Sequence, residues 1–309
     1  MPSVVCTLFE GHYHFGLGAL VNSLYYHGFR GVIWVGYRGS LPPWAYTVQY
    51  VDDYQEFRVG EGCIIRFVCL EHKIHFTNYK PHFMLDVLNK YSVDAQRIFY
   101  FDPDIVIRCR WSFFDAWAEQ GVALCQDIIN GYMPDDHPIR MSWNDLMQHT
   151  GYSKTRSMYQ YFNGGFIGLK RDSCAVLCAW QKLLDGLGEG GHDLNIFMPG
   201  NRSDPFYCSD QDTLNLATMV TDTPLSTIGP EGMGFTTGGF TMFHATGTPK
   251  PWKKRMTLEA LKGSPPSNAD KGYWQHTQTP INLYSPLQRL IKRIDLRCGA
   301  ATGRAARRS

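Results

Sequence analysis

Short apolar runs alternate along the first part of the chain with stretches whose apolar residues recur at helical spacing. An apolar run at 4–9 is followed by a helical pattern over 18–25 and a second apolar run at 32–37. This order predicts a β-α-β unit whose two strands are parallel and whose crossover is right-handed. No G-x-G-x-x-G sequence follows the first run, so a dinucleotide-binding fingerprint is unsupported.

The same two patterns continue to about residue 245, and residues 130–160 interrupt them. That interval loses periodicity and gathers Asp, His, Ser and Tyr, which predicts an excursion from the domain rather than a second domain. We therefore expect one α/β domain with a mostly parallel central sheet and ligands at the carboxyl ends of its strands. The further predicted strands are 63–70, 98–101, 121–125, 161–169, 226–229 and 239–245, and the further predicted helices are 78–91, 111–119, 173–187 and one opening at Ser209.

Composition narrows the class of protein. The 309 residues are 44% hydrophobic and 14% aromatic, which is typical of a globular protein. The net charge of +2 gives no indication of nucleic-acid binding, and we expect no nucleic-acid partner. The nine cysteines are an odd number and several lie inside apolar runs, which favours reduced thiols over a disulfide framework. They include no pair of CxxC motifs, so we do not expect structural zinc. The first strand leaves no room for a signal peptide, and no apolar run reaches membrane-spanning length, so we expect a cytoplasmic protein.

Two carboxylates close the apolar run at 98–101. Asp102 and Asp104 stand one residue apart, and alternation along a strand would turn both side chains the same way. Clustered carboxylates repel unless a positive group lies between them, and a divalent cation is one candidate. Asp-Pro-Asp is equally typical of a turn, so these residues alone leave both interpretations open.

Two adjacent glycines interrupt the predicted strand at 161–169. Gly164 and Gly165 are typical of a place where another group approaches the backbone. A β-bulge is the alternative.

The segment 244–252 carries the most specific pattern, His-x-x-Gly-x-x-Lys-Pro-Trp. Its His, Gly and Lys are His244, Gly247 and Lys250. This pattern resembles the C-terminal signature of glycosyltransferase family 8, which includes glycogenin and bacterial lipooligosaccharide galactosyltransferases. The resemblance extends over roughly residues 4–255. The other blocks similar to that family are Thr7-Leu8 with Tyr13 and 18–21, the Asp102-Pro103-Asp104 strand end, 162–165, and 210–212.

The resemblance implies a fold and an activity. The fold would be a single GT-A (Rossmann-like) domain over 1–263, with helices on both faces of the sheet and 130–160 on the acceptor side, followed by a C-terminal extension over 264–309. The activity would be a retaining, metal-dependent transfer of a hexose from a UDP-sugar to a hydroxyl of a saccharide or lipid-linked saccharide.

The same resemblance implies a metal site. Asp102, Asp104 and His244 would hold Mn²⁺ or Mg²⁺, a set of oxygen and nitrogen ligands that suits Mn²⁺ at least as well. Lys250 would bind the diphosphate, and Gly247 would let the backbone come close. A histidine taken alone is more often a core residue, and a lysine beside Lys253 is more often solvated.

The resemblance also assigns the nucleotide and the sugar. Tyr13 would stack on uracil, although it could equally pack the start of the first helix, and the family usually has Asp or Asn where this chain has Glu10-Gly11-His12. Asp210 would hydrogen-bond sugar hydroxyls or cap its helix, or do both. The remaining donor-binding residues implied are the Leu8 backbone, Lys80, Asn163, Gly164 and Gly165.

Retention implies a reaction on one face of the sugar. An amide such as that of Gln211 is a poor nucleophile, so we expect the acceptor to attack from the face that the diphosphate leaves. Gln211 or Asp210 would steady the positive anomeric centre.

Two other classes of protein share parts of this pattern. Haloacid-dehalogenase-type phosphatases and phosphotransferases also place an Asp-x-Asp pair at a strand end, but after the first strand of the chain. A non-catalytic nucleotide-sugar binding relative would keep the same residues without turnover.

The end of the chain predicts an amphipathic basic helix. From residue 287, apolar residues at helical spacing lie opposite arginines and lysines, which is typical of a helix on an anionic membrane surface. A helix packed on the domain is the alternative. We also expect 130–160 and 273–276 to form the acceptor wall, unless both are ordinary surface loops.

Overall fold

The computed structural model describes residues 2–306, and their strands and helices follow the predicted alternation. The strands are β1 (Ser3–Glu10), β2 (Gly31–Arg38), β3 (Gln49–Val51), β4 (Tyr54–Gly60), β5 (Cys63–Cys69), β6 (Arg97–Phe101), β7 (Ile105–Ile107), β8 (Val122–Cys125), β9 (Phe166–Lys170), β10 (Leu225–Ile228) and β11 (Met242–His244). The α-helices are α1 (His14–Tyr26), α2 (Lys80–Asp86), α3 (Trp111–Glu119), α4 (Pro138–Met141), α5 (Asn144–His149), α6 (Ala175–Glu189), α7 (Ser209–Met219), α8 (Met256–Leu261), α9 (Asn268–Gln275) and α10 (Pro286–Ala306).

Nine of the strands form one sheet in the order β10-β8-β9-β6-β1-β2-β5-β4-β3. The central strands β6, β1, β2 and β5 are mutually parallel, as are β8 and β10. Among the described strands of this sheet, β4 and β9 run against both of their neighbours, and the others share one direction. The predicted mostly parallel α/β sheet is confirmed.

Side chains alternate between two hydrophobic cores, one on each face of the sheet. In β1, Val4 and Cys6 enter the core beneath α2, α6 and α7, whereas Val5 and Phe9 enter the core beneath α1 and α3. Parallel strands that are buried on both faces read as continuous apolar runs, which is why β1 was recognisable from its sequence.

The prediction missed the β3–β4 hairpin and simplified one helix, and it also did not include β7, α4, α5, α8 and α9. Strands β3 and β4 form an antiparallel hairpin at the sheet edge, where polar residues interrupt the apolar pattern and Tyr50 is exposed. The helix expected over 78–91 is instead a 3₁₀ turn at Phe76–Tyr79, then α2, then a π-helical turn at Val87–Tyr91. Both details depend on tertiary packing.

A second, two-stranded sheet lies beside the first. Strand β11 pairs antiparallel with β7, in the register Met242 with Ile107 and His244 with Ile105. This pairing brings residues about 140 positions apart next to each other, and it is the part of the fold that completes the candidate site.

The C-terminal helix α10 packs on α8 through polar caps and small residues. The Asp295 carboxylate accepts hydrogen bonds from the backbone N–H groups of Met256 (2.9 Å) and Thr257 (3.0 Å), which start α8. A Cβ on Gly299 would lie 2.7 Å from the Met256 carbonyl, and one on Gly303 would lie 2.4 Å from Pro265. One face of the helix is therefore anchored to the domain.

A neighbouring face of α10 carries the predicted apolar stripe, and it is exposed. Each of its four side chains is more than half accessible to solvent, and Arg293, Arg297 and Arg304 are exposed on the same helix. Arg307 and Arg308 lie outside the described residues. None of the described helices is long and apolar enough to cross a membrane. The stripe consists of Leu287, Leu290, Ile291 and Ile294.

Candidate functional site

The Asp-Pro-Asp sequence forms a turn and also gathers carboxylates, so both initial interpretations hold for its geometry. β6 ends at Phe101, the Asp102 N–H donates to the Gly165 carbonyl (2.7 Å), and the Asp102 carbonyl accepts from the Ile105 N–H (3.0 Å). We expected alternation along a strand to bring the two carboxylates together, and this was wrong: they converge through the turn.

His244 completes the cluster from the second sheet. Its Nε2 lies 3.2 Å from Asp104 Oδ1 and 3.8 Å from Asp102 Oδ2. Gly165 makes room for the ring, because a Cβ there would lie 2.5 Å from the imidazole Cε1. A Cβ on Gly164 would likewise lie 3.0 Å from Asp210 Oδ2. Close approach to the backbone is therefore what this glycine pair permits.

These three residues fit a divalent metal ion. One ligand atom from each lies within 4.8 Å of the other two. Two carboxylate oxygens and one imidazole nitrogen form a donor set that suits Mn²⁺ or Mg²⁺. The His244 Nδ1 is buried without a hydrogen-bond partner among the described residues, so no protein acceptor fixes the proton on that nitrogen. Their role as ligands stays a prediction.

Lys250 also lies against this cluster. Its Nζ is 2.6 Å from Asp104 Oδ2 and 2.9 Å from the Ala245 carbonyl. Burial raises the pKa of Asp104, but His244 and Lys250 outweigh burial and hold that pKa well below its usual range. Burial lowers the pKa of Lys250, but Asp104 outweighs burial and raises it. Both groups are therefore charged at neutral pH.

Lys80 connects the metal cluster to the first turn of α7. Its buried Nζ lies 2.8 Å from Asp210 Oδ2, 3.2 Å from Asp102 Oδ1 and 2.9 Å from the Gly164 carbonyl. Burial lowers the pKa of Lys80, and the two carboxylates reverse this and raise it. Burial raises the pKa of Asp210, and Lys80 opposes the increase. The lysine thus compensates two carboxylates at once.

Asp210 therefore does not cap its own helix. The N-cap position of α7 is Cys208, and the Asp212 carboxylate accepts its N–H at 2.9 Å. Asp212 also accepts from the Tyr161 hydroxyl (2.7 Å), and burial raises its pKa to about 7. The Asp210 carboxylate is directed at Lys80 instead.

Gln211 belongs to a buried network that the sequence did not indicate. Its Oε1 accepts from the Gly164 N–H (2.8 Å), and its Nε2 donates to Asp127 Oδ2 (3.1 Å). Asn163 donates to the same oxygen at 2.6 Å, and Asp127 Oδ1 accepts from the Ile129 N–H at 2.7 Å. A carboxylate two residues beyond the predicted strand at 121–125 was the available signal for Asp127.

The residues implied for the nucleotide lie at the carboxyl end of β1. Tyr13 meets Trp252 edge to face at 5.5 Å, and its ring centroid is 5.8 Å from Lys250 Nζ. The His12 ring stacks on Tyr13 and accepts a hydrogen bond from the Trp252 indole (2.9 Å). Leu8 lies within β1, two residues before its end.

Two other expectations have structural outcomes. Gly247 has φ +79, and a Cβ there would meet nothing within 4 Å, so this glycine is required by its backbone conformation. The acceptor wall expected at 273–276 is wrong for its aromatic members, because Tyr273 and Trp274 are buried in the core beside α1. Their aromatic character reflects packing.

One comparison with known proteins is informative. No protein-family model and no curated protein sequence matches the chain. A solved structure described as the apo form of the bifunctional glycosyltransferase WbbM is similar to it, with a TM-score of 0.52 and 14% identity over 94% of this chain and 51% of that one. This chain spans about half the length of that neighbour. At this identity the likeness shows the fold alone, and the predicted α/β fold with a mostly parallel central sheet is consistent with a GT-A-like Rossmann fold.

The buried lysine leads to a stability prediction. Lys80→Met leaves Asp210 buried without its cation, so it should lower the free energy of unfolding by about 3–5 kcal/mol. Adding Asp210→Asn should restore part of that loss, because it removes the uncompensated charge. Urea unfolding of the single and double variants measures both effects.

The exposed pair Lys90–Asp53 provides the matched control. Its atoms are 3.3 Å apart, and both side chains are more than half exposed. Lys90→Met should leave the urea midpoint unchanged, because solvent screens this pair. A Lys80→Met variant as stable as the parent would show that Lys80 does not compensate the carboxylates.

Proposed function

We propose that the protein is a retaining glycosyltransferase that uses a divalent metal ion to transfer a hexose from a UDP-sugar to a hydroxyl group. One observation carries the proposal: a cluster of acidic and basic side chains converges at the carboxyl edge of the sheet, formed by Asp102, Asp104, His244 and Lys250. Asp102 also contacts Lys80, which is buried against Asp210. Residues 1–263 would be the transferase unit, and 264–309 an extension of it.

The donor would lie along this edge. Uracil would stack near Tyr13, the Leu8 backbone would read its edge, and Lys250 would bind the diphosphate. A metal ion held by the Asp102 cluster would neutralise the charge that develops on the leaving diphosphate. The sugar would lie beside five buried residues, Asp210, Asn163, Gly164, Gly165 and Lys80.

Front-face departure and attack is the mechanism that best fits the groups near the proposed sugar position. The Gln211 amide is held at both ends by Gly164 and Asp127, so it can fix a dipole beside the anomeric carbon. Asp127 already accepts three N–H hydrogen bonds, which favours a positioning role over nucleophilic attack. The donor phosphate would then accept the proton of the acceptor hydroxyl.

A donor assay tests the proposal. With Mn²⁺ and α-linked UDP-hexoses, the protein should release UDP, and the transferred sugar should have the α configuration by NMR coupling. EDTA should abolish release. Asp104→Asn should lower it by about a hundredfold or more, because the variant removes charge that balances the metal ion. The exposed Asp53→Asn is the matched control and should retain activity.

Three results would count against the proposal. A β-configured product would exclude the front-face mechanism. Hydrolysis of a simple phosphomonoester without any nucleotide sugar would favour an Asp-x-Asp phosphatase. UDP and Mn²⁺ binding without release of UDP from any donor would favour a non-catalytic binding protein.

The acceptor would approach across a patch beside Asp127. Ile128, Ile129, Tyr132 and Tyr159 are all more than half exposed, and the two tyrosine rings stack at 6.4 Å. The patch is held in place, because the Met133 N–H donates to the Tyr159 carbonyl at 2.9 Å. Exposed stacked tyrosines suit the apolar face of a pyranose ring. We propose that the 130–160 excursion contributes this acceptor surface.

Removing one tyrosine should separate acceptor use from donor use. Tyr132→Ala should reduce the stimulation of UDP release by methyl pyranosides about three- to tenfold, while release to water stays unchanged. Tyr46→Ala removes a tyrosine elsewhere that is even more exposed, and it should have no effect. If methyl pyranosides stimulate UDP release by the Tyr132→Ala variant as much as by the parent, the patch is not the acceptor surface.

The exposed stripe of α10 would bind an anionic membrane surface. The helix is anchored through Asp295, Gly299 and Gly303, yet its large apolar residues face solvent beside exposed arginines. An apolar face flanked by cations matches an anionic lipid surface in both hydrophobicity and charge. A lipid-linked saccharide would then be presented at that surface.

Point substitutions test this better than truncation, since deleting 287–309 would also remove the Asp295 cap of α8. The triple variant Leu290→Ser, Ile291→Ser, Ile294→Ser should stop sedimenting with phosphatidylserine vesicles at low salt and keep its UDP affinity. Leu261→Ser, at an exposed leucine of α8, is the control. Failure of the parent protein to sediment would contradict the membrane assignment.

A further inference from the structure

Both oxygens of the Asp104 carboxylate already face positive or hydrogen-bonding groups of the protein. Oδ2 lies 2.6 Å from Lys250 Nζ, and Oδ1 lies 3.2 Å from His244 Nε2. The carboxylate is 6% exposed, and the lysine side chain is 11% exposed. An ammonium group thus lies on one of the proposed metal ligands in a place that is nearly closed to water.

A divalent ion cannot share Asp104 with this ammonium group without strong repulsion. Like charges a few ångströms apart are poorly screened where the surroundings are largely buried. The His244 Nε2 must also present its lone pair to a metal, so it can no longer donate to Asp104. The ion and Lys250 are therefore alternative cations for the same carboxylate.

Lys250 has another position within reach. It belongs to the segment between β11 and α8, in which Gly247 at φ +79 faces open space. Its Nζ lies 5.8 Å from the Tyr13 ring centroid, on the side where the proposed nucleotide would lie. A diphosphate in that position offers the lysine several anionic oxygens in exchange for one carboxylate oxygen.

We propose that Lys250 competes with the divalent ion for Asp104, and that a nucleoside diphosphate admits the ion by drawing Lys250 onto its phosphates. The inference rests on the proposed function, since it requires that the site bind both ligands. Metal and nucleotide then bind with positive coupling that passes through one lysine. By linkage, each ligand raises the affinity of the other by the same factor.

Calorimetric titration measures that coupling directly. Mn²⁺ and UDP are each titrated alone and in the presence of the other, for the parent protein and for Lys250→Met. The parent should bind Mn²⁺ about tenfold or more tightly when UDP is present, a factor within the usual range of coupling between sites. Lys250→Met should bind Mn²⁺ alone more tightly than the parent and bind UDP with Mn²⁺ more weakly.

Lys250→Met should raise the affinity for Mn²⁺ alone and lower the affinity for UDP with Mn²⁺. These opposite changes distinguish competition from a general loss of binding. Lys253→Met removes the same charge from an exposed lysine three residues away, and all four of its affinities should match those of the parent. If Lys250→Met does not fold, as judged by its thermal melt in EDTA, Lys250→Gln takes its place. Its neutral amide can still donate to Asp104, and it should also bind Mn²⁺ alone more tightly.

The outcomes separate this inference from the proposed function. A parent protein that binds neither UDP nor Mn²⁺ would overturn both. A parent that binds both ligands, together with a Lys250→Met variant that binds Mn²⁺ alone no more tightly, would overturn the competition and leave the proposed function standing. If the coupling between Mn²⁺ and UDP binding in Lys250→Met equals that of the parent, the competition would likewise be overturned and the proposed function would stand.

Discussion

Negative charge concentrated at one edge of the sheet is the constraint on which the rest of this structure depends. Asp102 and Asp104 follow β6, and Asp210 lies in the first turn of α7; their mutual repulsion at that edge must be compensated. Three basic side chains converge on them: Lys80 from α2, His244 from β11 and Lys250 from the segment that follows. The basic side chains that would serve the proposed reaction therefore also offset the repulsion among these carboxylates in the folded state.

The compensation is divided between two places with different character. Lys80 is 2% exposed and holds Asp102, Asp210 and the Gly164 carbonyl together, so it acts as a fixed internal cation. Lys250 contacts Asp104 from a glycine-containing segment that faces open space on one side. In the proposed function, the fixed cation Lys80 would lie at the sugar end of the site, and Lys250, proposed to exchange with the metal ion, would lie where the metal ion and the phosphates bind.

The sequence indicated the buried strands well and the tertiary contacts poorly, for physical reasons. Strands buried on both faces, such as β1, carry continuous apolar runs, whereas the edge hairpin β3–β4 mixes polar and apolar residues and was missed. Glycines 164 and 165 marked a close approach, but which groups approach was fixed by the pairing of β11 with β7. Asp127 carries no motif, and its role emerges from hydrogen bonds to Asn163 and Gln211. The aromatic pair at 273–274 suggested a binding wall but fills the core.

The proposed transfer and the proposed competition with Lys250 both require that Asp102, Asp104 and His244 hold one divalent ion together. A crystal structure of the protein with Mn²⁺ and UDP, with anomalous diffraction data collected at the manganese edge, tests it most directly. We expect one strong anomalous peak bonded to both carboxylates and to His244 Nε2, with Lys250 moved from Asp104 to the phosphates. A peak elsewhere, or UDP bound at this edge without manganese among the three side chains, would contradict it.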